Sequence, residues 1–155
     1  MTTLHHPSHT PDTPLTLALP LDFTAFCELH HHHYQRYART RITDPATAQH
    51  AVHAALGDIA MRWPHLLASP SPAACAWHLL KHRIRQHTTN PRDSGHNDDL
   101  ADTALLHHTL HLTDTDIAHV TGTPLHTVRY QLHTTHHPPA PPEPQTPMPP
   151  PPGQA

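Results

Sequence analysis

The sequence predicts an all-α protein of two small helical domains, a three-helix bundle and a helix-turn-helix, between disordered proline-rich termini. Apolar residues recur at three- and four-residue steps through the middle of the chain, as on one face of an amphipathic helix. Residues that start helices precede several of these stretches. Of the 155 residues, 22 are histidine and 20 are proline, and only 35% are hydrophobic. Each hydrophobic core is therefore expected to be small.

Proline and turn residues divide the chain into five segments. Residues 1–20 hold four prolines, with Ser8 and several threonines between them, and this composition predicts a disordered leader. Residues 21–87 are predicted to form the first helical domain, and residues 88–97 a linker, because the latter combine Pro, Gly and Asn without periodicity. Residues 98–137 are predicted to form the helix-turn-helix domain. Residues 138–155 form a proline tract, which predicts a disordered tail.

The first predicted helix runs from Phe23 to about Ile42. Asp22 precedes it and is expected to be its N-cap, because a carboxylate there accepts hydrogen bonds from the first turn. One face of this helix is mostly apolar. The residues on that face are Phe23, Phe26, His30, Tyr34, Tyr37, Ala38 and Ile42.

The next two helices have clearer start signals. Asp44 is expected to cap the second helix, with Pro45 at its first position, and Pro64 is expected to end it. A Ser- and Pro-containing loop at residues 68–72 then precedes a third amphipathic helix from Ala73. The basic residues of the third helix are Lys81, Arg83 and Arg85.

The second domain contains the sharpest local signals in the chain. Asp98 or Asp99 is expected to cap its first, short helix. Thr113 and Asp116 match the capping box, in which each residue's side chain bonds the other's backbone N–H. Gly122 follows, and a tight connection between helices needs a residue that tolerates positive φ. The inward side of the first helix is predicted to be Ala101, Ala104, Leu105 and His108.

Thr123 and Pro124 are predicted as the cap and first-turn residue of the final helix. The resulting pair of helices predicts a DNA-binding helix-turn-helix, although the same spacing also occurs in plain helical hairpins. Leu125, Val128 and Leu132 are expected to face inward. The candidate DNA-binding residues, on the outer face, are His126, Thr127, Arg129, Tyr130 and His133.

Two sets of residues share their order and spacing with a known family. The first set is Phe23 to Phe26, Tyr37-Ala38, Asp44 to Ala48, Val52, Leu56, Trp63 and Trp77. The second set is Ile117-Ala118, Gly122, Thr127-Val128-Arg129 and Leu132. On these residues the chain resembles the extracytoplasmic-function sigma factors of bacterial RNA polymerase. That family has two helical domains, region 2 and region 4, joined by a linker.

The resemblance implies a DNA-binding protein that acts in transcription initiation or its regulation and recognises promoter DNA through the helix-turn-helix. The further partners that the resemblance implies are RNA polymerase core and an anti-sigma regulator. Gln49, His50 and His53 stand where the family docks on polymerase, so they are the expected partner-binding residues. The alternative interpretation is a sigma-like interaction module that does not bind DNA.

Histidine supports a second alternative, a metal-binding protein, because imidazoles three or four residues apart on a helix can share one ion. The relevant groups are His30 to His33, His50 with His53, and His107 with His108 and His111. No carboxylate or cysteine accompanies them at matching spacing, so no metal and no other cofactor is expected. The sequence also lacks a phosphate-binding glycine loop and a nucleophile motif, so no enzyme activity is expected.

Charge and cysteine content set the expected compartment. The formal net charge is −3 with neutral histidine, and the 22 histidines add positive charge as the pH falls below 7. The two cysteines lack metal-type spacing, and the chain shows no signal-peptide pattern and no long apolar run. A cytoplasmic protein without membrane contact is therefore predicted.

Overall fold

The computed structural model describes residues 19–88 and 96–136. Most of the predicted leader and linker, and the whole proline-rich tail, lie outside these residues. Every regular element within them is a helix, which confirms the all-α prediction. The helices are α1 (Leu21–Arg41), α2 (Pro45–Met61), α3 (Trp63–Leu67), α4 (Pro72–Arg85), α5 (His96–His108), α6 (Asp114–Thr121) and α7 (Leu125–His136).

Side chains cap the N-termini of α2 and α4. Asp44 accepts a hydrogen bond from the backbone N–H of Thr47 at 2.9 Å, and Pro45 occupies the first turn, as predicted. Ser71 caps α4 in the same way, since its Oγ accepts from the N–H of Ala74 at 3.3 Å. Each cap satisfies a donor that the helix itself leaves unpaired.

The predicted cap of α1 is wrong. The helix begins at Leu21 with Pro20 as its N-cap, and the Pro20 carbonyl accepts from the N–H of Thr24 at 3.0 Å. Asp22 therefore lies inside the first turn, where its carboxylate accepts from the N–H of Phe23 at 2.8 Å. A negative charge there is still favoured by the helix dipole.

A break at Arg62 separates α2 from α3. Pro64 was expected to end the second helix, but it lies in the first turn of the short α3. This geometry places Trp63 against α1, with its ring centroid 5.3 Å from that of Phe23 and 5.2 Å from that of Phe26. The break thus orients a large aromatic side chain into the core.

The first hydrophobic core lies between α1, α2 and α4. Tyr37 of α1 and Trp77 of α4 are in ring contact at its centre, with centroids 4.6 Å apart. Small alanines on α2 allow the helices to approach closely. The side chains with no exposed area include Tyr34, Ala51, Val52, Ala55, Ile59 and Leu80.

The second core lies among α5, α6 and α7, where Leu106, Ile117 and Val128 are fully buried. The predicted inward face of α5 is wrong at two of its four positions, since Ala101 and His108 are exposed. The α5 residues that are buried instead are Asp98, Asp102, Thr103 and Leu106. Polar side chains dominate this face because each finds a partner on another helix.

The prediction that Asp98 or Asp99 caps α5 is also wrong. Both residues lie within the first turn of the helix. Their carboxylates contact the ammonium of Lys81 on α4 instead, at 3.1 Å and 2.9 Å respectively. Asp98 and Asp99 therefore join α5 to α4 through ion pairs and do not cap α5.

Polar contacts and helix packing connect the two halves of the described chain. Arg36 on α1 donates to the carbonyl of Leu110 at 2.8 Å. The Tyr37 hydroxyl donates to the carboxylate of Asp102 on α5 at 2.6 Å, and α4 packs against α6. Helices α1 to α4 and helices α5 to α7 are thus in direct contact.

His30 on α1 is a buried titratable group within this body. It is 4% exposed, and its ring lies 4.2 Å from that of Phe26. Burial lowers its pKa to about 4, and the positive charges of His33 and His119 act in the same direction. Neutral imidazole is therefore the form that this packing accepts.

We expect stability to decrease as the pH falls from about 7 to 5, because the unfolded chain then binds a proton at His30 that the folded chain excludes. The lowered pKa corresponds to a loss of about 1.5 kcal/mol over this interval. Urea unfolding of the wild type and of His30→Leu at each pH measures this loss of unfolding free energy. The variant should lose less stability on acidification, and equal losses in both proteins would contradict the assignment.

Candidate nucleic-acid interface

The capping box at the start of α6 is present as predicted. The backbone N–H of Asp116 donates to the hydroxyl of Thr113 at 3.2 Å, and the N–H of Thr113 donates to the Asp116 carboxylate at 3.2 Å. The hydrogen bond from the Thr113 hydroxyl lowers the pKa of the Asp116 carboxyl. Two otherwise unpaired donors are satisfied reciprocally, which fixes where α6 begins.

The turn between α6 and α7 also forms as predicted. Gly122 has φ 68° and ψ 14°, the left-handed conformation that ends many helices. The hydroxyl of Thr121 donates to the carbonyl of Ile117 at 2.8 Å and accepts from the N–H of Thr123 at 3.2 Å. These bonds hold the chain as it reverses into α7.

The start of α7 lies one residue later than predicted. Pro124 was expected in the first turn, but its carbonyl accepts from the N–H groups of Thr127 and Val128, at 2.9 Å and 3.1 Å. The first helical residue is Leu125. Pro124 thus stands at the boundary, which does not change which face of α7 points outward.

The five predicted DNA-binding residues share the helix α7. Its inner side is fixed by Val128 and Leu132, which are buried against the rest of the helix-turn-helix. Leu125, also expected inward, is half-buried. Thr127 is half-buried as well. The four exposed members of the predicted set are His126, Arg129, Tyr130 and His133.

Sequence periodicity missed a polar contact behind this face. Gln131 is 9% exposed, and its side-chain oxygen accepts from the hydroxyl of Thr103 on α5 at 2.7 Å. Because both partners are buried, the bond orients α7 against α5. A polar residue such as Gln131 gives no local signal of burial, since the apolar periodicity of α7 rests on Val128 and Leu132.

Arg129 is the only Lys or Arg in α7. Its Nε lies 3.4 Å from a carboxylate oxygen of Asp114, and the two side chains are 59% and 36% exposed. The two residues are 15 positions apart, so no local sequence pattern indicates that Asp114 pairs with Arg129. The pair lies at the solvent-facing junction of α6 and α7.

The predicted partner-binding residues lie apart from α7, on α2. Gln49, His50 and His53 are all exposed. The His53 ring is nearly parallel to that of His31 on α1, with centroids 6.1 Å apart. This group therefore forms a polar surface across α1 and α2.

The histidines do not assemble into a larger ligand cluster in the part of the chain described. Among residues 19–88 and 96–136, no three His, Cys, Asp or Glu side chains come together as a metal site would require. His107 and His108 are neighbours, with ring centroids 4.9 Å apart. Cys27 and Cys75 are half-buried and unbonded to each other. None of the described helices has the length and apolar content to cross a membrane.

Comparison with known proteins assigns no relative to this chain. No family model matches it, and no curated protein or solved structure shows significant similarity to it.

Proposed function

We propose that this protein binds duplex DNA through α7 and acts in bacterial transcription initiation or its regulation. The observation that carries the proposal is the outward, exposed set of polar side chains on a helix that follows a glycine turn and a capped helix. An α-helix with its side chains is about 10–12 Å wide, which matches the major groove of B-DNA. The polar face of α7 is the part available to enter it.

Each exposed group suits a different contact. Arg129 can bond guanine in a bidentate manner or pair with a phosphate, and Tyr130, 68% exposed, offers a hydroxyl and an apolar ring. His126 and His133 flank these two on the same face. Imidazoles gain charge against a polyanion as the pH falls, so binding is expected to be linked to pH.

The proposal extends to partners through the resemblance to sigma factors. RNA polymerase core is the proposed partner of Gln49, His50 and His53, and an anti-sigma regulator is a further candidate. Since α2 and α7 belong to halves that contact each other, both surfaces are presented together by the described chain. The residues around them that resemble the sigma factors, Asp44 to Ala48, Val52 and Leu56, support this assignment.

The test is DNA binding by the full chain and by Arg129→Ala. Duplexes that the protein retains from a random-sequence library are labelled, and their affinity is measured by fluorescence anisotropy. We expect Arg129→Ala to weaken binding about tenfold, because a base or phosphate contact of this kind contributes that much. Affinity of the wild type should rise as the pH falls from about 7.5 to about 6.

Arg39→Ala is the matched control, because Arg39 is an exposed arginine on α1. It removes the same charge from outside the helix-turn-helix, so it should change affinity less than Arg129→Ala. Equal effects of the two substitutions would assign binding to net charge and contradict a role for α7. Failure of the wild type to retain any duplex would reject DNA binding and favour the interaction module.

A further inference from the structure

Asp114 is an acidic residue at the start of the helix-turn-helix that plays no part in the capping of α6. The reciprocal bonds of the capping box belong to Thr113 and Asp116. The Asp114 carboxylate instead lies 3.4 Å from Nε of Arg129, on the outer face of α7. Asp114 therefore lies beside the surface that we propose for DNA.

We propose that Asp114 is a specificity-determining residue, which restrains Arg129 and lowers the affinity for DNA of unselected sequence. This inference rests on the proposed function. The N-terminus of a helix normally attracts phosphate, because its N–H groups and dipole present positive charge. At α6 the carboxylates of Asp114 and Asp116 oppose that attraction.

Phosphate contacts and base contacts respond differently to such a carboxylate. Phosphates provide most of the sequence-independent affinity, and they are repelled by Asp114 and attracted less by an arginine whose charge is already paired. A base edge carries no net charge and is recognised by directional hydrogen bonds. The Asp114 carboxylate therefore weakens base contacts less than phosphate contacts. An ion pair this exposed is weak, so Arg129 is released when a correctly placed guanine offers two acceptors.

The pairing also limits the directions that Arg129 can take. Arginine has many rotamers, and a carboxylate from α6 holds the guanidinium on the side of α7 that faces α6. An exposed pair of this kind favours that side without fixing the side chain, so fewer rotamers compete when a base edge is offered. Asp114 is in this sense a positioning residue for Arg129.

The experiment compares wild type and Asp114→Asn on two labelled duplexes, one selected by the wild type and one scrambled. We expect the affinity for the scrambled duplex to rise about three- to tenfold and that for the selected duplex to rise less, so that their ratio falls. Binding of the scrambled duplex should also depend more steeply on salt. Asp114→Glu, which keeps the charge, should restore most of the discrimination.

Glu28→Gln is the matched control, since it changes the net charge equally at an exposed position of α1. It should leave the ratio unchanged. In an Arg129→Ala background the effect of Asp114→Asn should shrink, because the two residues act as a pair. Circular dichroism spectra establish that each variant is folded.

The outcomes separate this inference from the function on which it rests. A wild type that binds neither duplex rejects the proposed function itself. A wild type that discriminates while Asp114→Asn keeps the same ratio overturns the role of Asp114 alone. A ratio that falls equally in Glu28→Gln would also overturn it, because net charge then explains the effect.

Discussion

Gly122→Ala is expected to destabilise the protein by about 3 to 5 kcal/mol, because the position combines a strained backbone with a steric overlap. The φ of Gly122 is 68°, which residues with a Cβ adopt at a cost. An added Cβ would lie 2.2 Å from the backbone nitrogen of Ala74 and 2.7 Å from its Cα. Urea unfolding followed by circular dichroism measures the loss.

The overlap cannot be relieved by a smaller side chain on α4, because the atoms met by the Cβ are backbone atoms. Either the α6–α7 turn or the first turn of α4 has to move. Ser71 adds a hydrogen bond at the same place, from its Oγ to the Gly122 carbonyl at 3.3 Å. The turn of the helix-turn-helix is therefore also a contact with the first half of the protein.

Gly57→Ala is the matched control. Gly57 lies within α2, and a Cβ added there meets nothing within 4 Å. Alanine should stabilise the protein by about 0.5 to 1 kcal/mol, because it restricts the unfolded chain and favours a helix. If Gly122→Ala were as stable as the wild type, the turn would not lie as close to the backbone of α4 in solution as described.

Features that depend on neighbouring residues were predictable from the sequence. The capping box and the positive φ at Gly122 follow from chemistry within a few residues, and both are confirmed. The exposed face of α7 follows from the positions of Val128 and Leu132 alone. By contrast, the approach of Ala74 to Gly122 joins residues far apart in sequence, which no local pattern encodes.

The errors in α5 have a common physical origin. Periodicity identifies a buried face by its apolar residues, yet on α5 the buried residues include Asp98 and Asp102. These carboxylates are buried because Lys81, Arg41 and other partners come from distant helices. Asp114 was missed for the same reason, since its partner lies on α7. Charge pairing across helices has no sequence period.

Lys81→Met is the second substitution for which we expect a large effect. Lys81 is 5% exposed, and its Nζ lies 3.1 Å from Asp98, 2.9 Å from Asp99 and 2.8 Å from Asp102. Methionine retains a four-atom unbranched side chain like the stem of lysine but lacks the ammonium. Asp98 and Asp102 are then buried without the ammonium, which should cost about 3 to 5 kcal/mol.

The pH dependence identifies the cause of this loss. Burial alone would raise the pKa of Asp98, but hydrogen bonds from Arg85 and Lys81 outweigh it and hold the pKa below its usual value. The wild type therefore keeps this stabilisation at neutral pH and loses it as the pH falls below about 4. In Lys81→Met, Asp98 loses one of these donors and protonates more readily, so the difference between the two proteins should decrease as the pH falls from 7 to about 4.

Arg83→Met tests whether burial, and not ion pairing itself, makes the difference. Arg83 forms a two-bond pair with Asp58, at 2.6 Å and 2.8 Å, but its side chain is 34% exposed. Its loss should cost clearly less than the loss of Lys81, because solvent screens an exposed pair. If Lys81→Met cost no more than this, the carboxylates of α5 would be solvated in solution. The ion pairs between α4 and α5 would then contribute little to joining the two halves of the described chain.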